Sequence, residues 1–451
     1  MSATMRMEVS QEGVSPPVTA LSMFRLTNKV IMNLRPLFKD FWRPVGLPAR
    51  ASHLTLLLMG IGTLALAQQP SRLTLQEALT RADRQNLDLM AARQRRALAL
   101  AGVQVAVQRP NPLFSFSASR DAPHEGVMLD QPLEIGPKRG RRIDLARKEA
   151  VLTDLEIAAF ARQVRHSVRN AFYQAEFTKS VSVQKGDLLR LARRLRDIAE
   201  SRFEAGDVAQ FEVIQADLEA ARADAAMQLA RQEEDVAISR LNALLNESAG
   251  TRWDMVSTLE ALPVAPPMAQ LEERAYQSNS DLQQKKQQEV IEQRRTSLLQ
   301  AERIPDLSIG IGADLNNPPD YQAGLRGQFS LTLPLFARNQ GEIAQSQASQ
   351  KFLELDLAAT KRMIEAEVDS AALEFGARAS QVKIFRDTLV PSAERLATMA
   401  EEGYKAGKAN ILTVIDAQRN ASQVQQEYLD SLVAAQSAFA ALEETVGAPL
   451  D

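Results

Sequence analysis

The chain of 451 residues has no cysteine. This excludes disulfides, thiolate metal sites, a cysteine nucleophile and lipid attachment to an N-terminal cysteine. Histidine is nearly as scarce. His53, His124 and His166 stand far apart, and no H-x-x-x-H or H-E-x-x-H spacing occurs. A histidine metal site is therefore not expected. A cationic surplus is missing too: 53 Lys and Arg face 56 Asp and Glu, a net charge of −3. Phosphate binding needs clustered cations in excess, so nucleic acid is excluded as the main partner. Aromatics make up only 5% of the chain. Mean hydropathy is −0.22, too polar for a bundle of membrane helices. Neither G-x-S-x-G nor a metal-ligand spacing supports an exported enzyme, and no cofactor or catalytic residue is expected.

One segment breaks the polarity. Residues 54–67 read LTLLLMGIGTLALA. A run of about 14 apolar residues is shorter than the ~20 a spanning helix needs. It fits the core of a secretory signal. Arg43 and Arg50 supply the positive flank, and Ala65-Leu66-Ala67 gives the small-x-small end, so cleavage after Ala67 is expected. Residues 1–67 are read as a leader with a signal peptide, with Met1, Met23 and Met32 open as its start. The mature protein is expected to be exported to the periplasmic side of a bacterial envelope.

Internal repetition is the next signal. Phe203-Glu204-Ala205-Gly206 followed by Val213-Ile214-Gln215-Ala216 matches Tyr404-Lys405-Ala406-Gly407 followed by Val414-Ile415-Asp416-Ala417 at one offset. Pro132-Leu133 pairs with Pro334-Leu335, Gly140 with Gly341, Arg109 and Leu113 with Arg303 and Leu307, and Asp88-Leu89 with Asp281-Leu282. Order is kept while the offsets drift by a few residues. A tandem duplication is expected: a first repeat over 68–261, a proline-rich joint over 262–270 and a second repeat over 271–451.

Each half predicts the same elements. A helix comes first, over 75–108 and 271–302, stopped by Pro110, Pro112 and Pro305. Strands follow over 113–119 and 127–133, then 307–313 and 325–333, where apolar and polar residues alternate. Polar loops fill 120–126 and 314–322. The helices then become very long. Residues 141–204 hold no proline, and 342–402 hold only Pro391, where a kink or break is expected. Glycine ends both, after Ala205 and after Ala406. Return helices run over 211–245 and 411–446. Ile411, Val414, Gln418, Ala421, Gln425, Tyr428, Leu432, Ala435, Phe439 and Leu442 form a coiled-coil seam in the last. The fold class is mainly α with membrane β: long helical hairpins plus four strands per chain.

Four strands cannot close a barrel, and open edges do not survive in lipid. Transmembrane barrels start at about eight strands, so several chains must contribute, and three would supply twelve. The alternative is a small soluble sheet capping a helical bundle. Export, alternation and polar loop tips favour the barrel.

The order helix–strand–strand–long hairpin, twice over, resembles the outer membrane factor (TolC-like) proteins of Gram-negative efflux systems, across residues 73–447. Gln131-Pro132-Leu133-Glu134-Ile135-Gly136-Pro137-Lys138-Arg139-Gly140 and Leu333-Pro334-Leu335-Phe336-Ala337-Arg338-Asn339-Gln340-Gly341 are similar to two stretches of the cobalt–zinc–cadmium resistance branch, Q-P-[IL]-E-x-G-x-K-R-G and P-[IL]-F-x-R-N-Q-G. The resemblance implies a homotrimer, a twelve-stranded barrel in the outer membrane and a helical tunnel in the periplasm. It implies docking on a periplasmic adaptor and an inner-membrane RND-type pump, contact with outer-membrane lipid, and no catalysis. The cargo it implies is heavy-metal cations, passed without a binding site in the conduit.

The resemblance further implies that the Ala205-Gly206 and Ala406-Gly407 turns form the periplasmic tip, with a tunnel constriction in the helices that follow. Some members carry two aspartates there, three residues apart. Aligned on Gly407, this chain has Thr413 and Asp416, so Asp416 is read either as one ring of three carboxylates, in place of two, or as a solvated helix position. The basic run Lys138, Arg139, Arg141, Arg142 is expected where barrel meets tunnel, either holding anionic lipid or the trimer, or as a solvated face. Phe114, Phe116, Tyr321, Phe329 and Phe336 are candidate interface aromatics or intersubunit packing. A second function class stays open, a periplasmic adaptor. Adaptors usually carry one hairpin per chain among lipoyl-like β domains, and no such stretch is visible here.

Overall fold

The computed structural model describes residues 71–256, 259–317 and 319–450. The expected signal peptide and cleavage site lie outside them. A three-residue strand, β1 (Ser71–Leu73), leads into α1 (Leu75–Gln85), which a Thr74–Glu77 capping box starts. Then follow α2 (Leu87–Val107), β2 (Leu113–Ala118), β3 (Glu125–Leu133), α3 (Lys138–Glu204), α4 (Gln210–Leu244) and β4 (Trp253–Met255). The order recurs with α5 (Met268–Ser278), α6 (Ser280–Ala301), β5 (Leu307–Asn317), β6 (Tyr321–Leu331), α7 (Gln340–Ile384), a π-turn, α8 (Val390–Lys405) and α9 (Ile411–Val446).

The 67 residues of α3 extend about 100 Å at 1.5 Å per residue. No helix of this length is stable alone, and α3 packs along α2, α4, α6 and α9. The buried residues form separate clusters along this length rather than one core. Alanine recurs at the contacts: Ala192, Ala199, Ala216, Ala220 and Ala223 are all buried. Small side chains allow close helix approach. Of the predicted seam in α9, Ile411, Val414, Tyr428, Leu432, Ala435, Phe439 and Leu442 are buried, and Gln418, Ala421 and Gln425 are half-buried.

The expected break at Pro391 is a π-turn over Phe385–Leu389. Proline has no N–H to offer and its ring crowds the carbonyl one turn back. The chain answers with a wider turn, in which Val390 N–H donates to the Phe385 carbonyl.

Three expectations need correction. The first helix of each half is two helices, broken at Asn86 and Asn279. Each asparagine caps the second helix: Asn86 Oδ1 accepts from Leu89 N–H at 2.9 Å, and Asn279 Oδ1 from Asp281 and Leu282 N–H at 2.9 and 3.1 Å. Each also donates to the far end of a return helix, Asn86 Nδ2 to the Leu244 carbonyl at 2.9 Å and Asn279 Nδ2 to the Thr445 carbonyl at 2.7 Å. The strand loops are shorter than expected, because β3 starts at Glu125 and β5 runs on to Asn317. A parallel pair was also missed: β1 lies on β4, with Ser71 opposite Trp253 and Leu73 opposite Met255. Three residues carry too little periodicity to be read as a strand.

The other four strands form one antiparallel sheet in the order β2-β3-β5-β6. Strands β3 and β5 pair over nine residues, from Glu125 opposite Leu315 to Leu133 opposite Leu307. Gly312 makes this approach feasible: a Cβ there would lie 2.2 Å from the Val127 carbonyl oxygen.

Candidate functional site

The register divides the sheet into two chemically different faces. Phe114 opposes Leu129 and Phe116 opposes Val127; Leu129 opposes Ile311, Ile309 opposes Phe329, and Ala313 opposes Leu325. These side chains share one face. Phe114, Phe116, Leu129, Ile309, Ile311, Leu325 and Phe329 are all exposed, Leu325 at 95%. Ser115, Ser117, Met128, Asp130, Ser308, Asp314, Arg326, Gln328 and Ser330 occupy the other face. There Arg326 reaches Asp314 at 3.4 Å. β2 and β6 are the edges of the sheet, each unpaired on its outer side among the described residues. A soluble cap would turn its apolar face onto a core. This sheet leaves that face bare. None of the described helices is long and apolar enough to cross a membrane.

Below the strands, the first motif is explained residue by residue. Gln131 Nε2 donates to the Pro110 carbonyl at 3.1 Å. Glu134 and Arg142 form a two-pronged ion pair, with Arg142 Nη2 3.1 Å from Glu134 Oε2. The Arg142 hydrogen bond holds the Glu134 carboxyl below its usual value of 4.5. Lys138 is buried, with Nζ 2.6 Å from Asp306. Helix α2 leaves its last carbonyls without helical partners. Arg142 Nε reaches Ala106 O at 3.1 Å, its Nη2 reaches Gln108 O at 3.1 Å, and Arg139 Nε reaches Val107 O at 2.9 Å. In the second motif Asn339 Nδ2 donates to Leu299 O at 3.3 Å, near the end of α6. The solvated-face reading of the basic run is thus corrected. Lys138, Arg139 and Arg142 bind helix and strand ends together, and only Arg141 of the four is exposed without a partner among the described residues.

At the opposite end of the long helices, both predicted turns close alike. Gly206 has φ +82° and Gly407 φ +68°, the left-handed region glycine enters without strain. Gly206 N–H donates to Phe203 O and Asp207 N–H to Arg202 O; Gly407 N–H donates to Tyr404 O and Lys408 N–H to Gly403 O. Both are Schellman caps, with Ala205 and Ala406 as the last residues before the glycine. The structure brings the two turns together. Tyr404 is 1% exposed in a cluster with Leu195, Ala199, Ala216 and Val414, and the Arg202 guanidinium lies 5.1 Å from its ring centroid. Burial pushes the Tyr404 hydroxyl pKa up.

Thr413 and Asp416 are exposed on the first turns of α9, three residues apart and so on one side. Thr413 is occupied at the helix start: its N–H and hydroxyl both donate to Asn410 Oδ1, at 2.9 and 2.8 Å. Sequence reasoning missed the neighbours of Asp416. One turn on, Arg419 pairs with Glu219 of α4, its Nε 3.1 Å from Oε1. Arg222 also lies 3.9 Å from Glu219, so the two acids and two arginines here carry no net charge. A spacing signal existed, since Glu219 and Arg419 fall near matching positions of the two halves. Among the described residues no group of three or more His, Asp or Glu could hold a metal.

A sheet apolar on one face, polar on the other and open at both edges, carried on helices of this length, is the architecture of a membrane channel protein. The chain belongs to the outer membrane efflux protein family, whose model matches residues 78–247 and 271–448. It is 27% identical over 394 residues to the cobalt-zinc-cadmium resistance protein CzcC of Cupriavidus metallidurans, covering 83% of this chain and 90% of that protein. In fold it is similar to CusC (TM-score 0.69, 16% identity, 83% of this chain and 92% of that one). It is also similar to the outer membrane protein VceC of Vibrio cholerae (0.67, 15%, 84% and 97%) and to the open state of the MtrE channel of Neisseria gonorrhoeae (0.67, 12%, 84% and 89%). The function is therefore that of an outer-membrane efflux channel, and the adaptor alternative is set aside.

Proposed function

We propose that three copies of this chain assemble into one conduit, a twelve-stranded barrel in the outer membrane continued by an α-helical tunnel in the periplasm. The observation that carries this reading is the four-stranded sheet with its bare apolar face and its two unpaired edges, β2 and β6. An open edge in hydrocarbon leaves backbone groups unsatisfied, at several kcal/mol each. A second copy pairing β6 with β2, and a third closing the ring, removes every edge. The nine and eleven residues of β3 and β5 match the ~9–11 that a tilted spanning strand needs.

The recurring element order and the twin asparagine caps support a tandem duplication, with repeats at 68–261 and 271–451 around a joint at 262–270. The Ala205-Gly206 and Ala406-Gly407 turns are the periplasmic tip that meets a periplasmic adaptor and an inner-membrane RND-type pump. Asp416 contributes one carboxylate per chain to the tunnel constriction beside Thr413. The similarity to a cobalt-zinc-cadmium resistance protein supports heavy-metal cations as cargo, passed without chemistry or cofactor. The test is extraction from outer membranes. A heat-modifiable, detergent-dependent trimer that conducts ions in planar bilayers is expected. A detergent-independent soluble monomer would overturn the reading.

A further inference from the structure

At the helix end of the sheet the chain crosses four times between helices and strands, and arginine stands at each crossing. Arg109 lies four residues before β2, Arg139 and Arg141 follow β3, Arg303 lies four residues before β5, and Arg338 follows β6. Arg109, Arg141 and Arg303 are exposed, and none is paired with a described residue. Arg338 uses only Nε, on the Pro334 carbonyl at 3.1 Å, leaving both terminal nitrogens. Four of the acids nearby are engaged elsewhere: Glu134 by Arg142, Asp306 by Lys138, Asp144 by Arg294 at 3.3 Å, and Glu302 by Asn339. Arg109 also borders an open groove of about 440 Å³ with Val105, Pro110, Leu145 and the Glu134–Arg142 pair.

At the two crossings out of the sheet, after β3 and after β6, exposed apolar side chains lie between the strand and the arginine. Ile135 is 40% exposed, Leu333 58%, Leu335 60% and Phe336 91%. From the strand outward the order is apolar anchor, then free guanidinium, the order of a bilayer boundary. The placement is not confined to one crossing. Arg109 and Arg303 occupy matching positions, each four residues before the first strand of its half.

We infer that this ring of unpaired arginines is a binding surface for anionic phospholipid headgroups of the leaflet facing the periplasm. The inference rests on the proposed trimer, in which Arg109 and Arg303 alternate six times around the barrel. Guanidinium forks match phosphate oxygens in charge and geometry.

The test uses the purified full-length trimer in neutral detergent, its melting temperature read against added phosphatidylglycerol, phosphatidylcholine or inorganic phosphate. Phosphatidylglycerol alone is expected to raise it, by about 5 °C at saturation. The variant R109Q/R141Q/R303Q is expected to melt like the parent without lipid and to lose most of that rise, with apparent affinity down about tenfold or more. R109K/R141K/R303K is expected to keep part of it. R84Q/R194Q/R231Q, exposed arginines on helices distant in sequence from the sheet, is expected to keep all of it. An equal rise with phosphatidylcholine or phosphate, or an undiminished rise in R109Q/R141Q/R303Q, overturns the inference. Absence of any trimer before lipid is added would instead refute the assembly on which it rests.

Discussion

Replacing Asn86 with alanine removes two side-chain hydrogen bonds at once, and replacing Asn279 removes three. In each case the helix start loses its cap, about 1 kcal/mol. In each case a return-helix carbonyl, Leu244 or Thr445, loses its partner in a nearly closed site, since Asn86 is 4% and Asn279 7% exposed. An orphaned buried carbonyl costs about 1–3 kcal/mol. The sum is about 2–4 kcal/mol per site. The two asparagines serve different clusters, one around Leu89 and Leu245, the other around Leu282 and Val446, so the effects should add. Hydrogen exchange reads such local opening directly. At tenfold per 1.4 kcal/mol, the bonded amides of Leu89 and Met90 in Asn86→Ala and of Asp281, Leu282 and Gln283 in Asn279→Ala should exchange roughly 30- to 700-fold faster. Acceleration below about threefold at both sites would refute the reasoning. Acceleration at one site alone would refute the equivalence of the two halves.

At the strand–helix junction, the depressed Glu134 carboxyl contributes stability that is present above its ordinary value of 4.5 and is lost as pH falls through the lowered native value. Glu134→Gln should therefore melt below the parent at pH 7 and show a flatter decline between pH 5 and 3; parallel melting curves would contradict this. Gly407→Val forces a β-branched side chain into φ +68°, at a cost of about 1–2 kcal/mol or more, and should speed protease cleavage around 404–410 while leaving the barrel end unchanged. Asp416→Asn should lower the cation preference of single channels in planar bilayers. Conductance and ion preference both unchanged would remove Asp416 from the constriction.

Much of the fold was legible because period and punctuation are strong in this sequence. Pairs such as Leu325–Phe329 in β6 alternate cleanly, and Ala-Gly ends both long helices where the structure places Schellman caps. The end of α4 and both ends of α9 fall within a residue of expectation. What escaped was local chemistry without periodicity. Asn86 and Asn279 interrupt nothing in the apolar pattern, yet one side chain can accept from a helix start and donate to a distant carbonyl. The basic run misled for a related reason. Charge alone suggests solvent, whereas Arg139 and Arg142 are spent on the open carbonyls of α2, a partner 32 to 36 positions away in the chain. The neighbours of Asp416 were hidden because Glu219 and Arg419 meet only when two return helices lie side by side.

The central claim is that β6 of one copy pairs with β2 of the next. In the sheet order β2-β3-β5-β6 these edges are three strand spacings apart, about 14 Å, beyond the ~7 Å that a disulfide allows between Cα atoms. The chain has no cysteine of its own, so cysteines placed at Ser117 of β2 and Ser330 of β6, and at neighbouring positions on the same face to scan the register, can link only between copies. Oxidation in native outer membranes should give, for at least one pair in the scan, a covalent ladder that stops at three chains. A ladder that stops at two or runs past three, or no linkage at any register, would contradict the assembly.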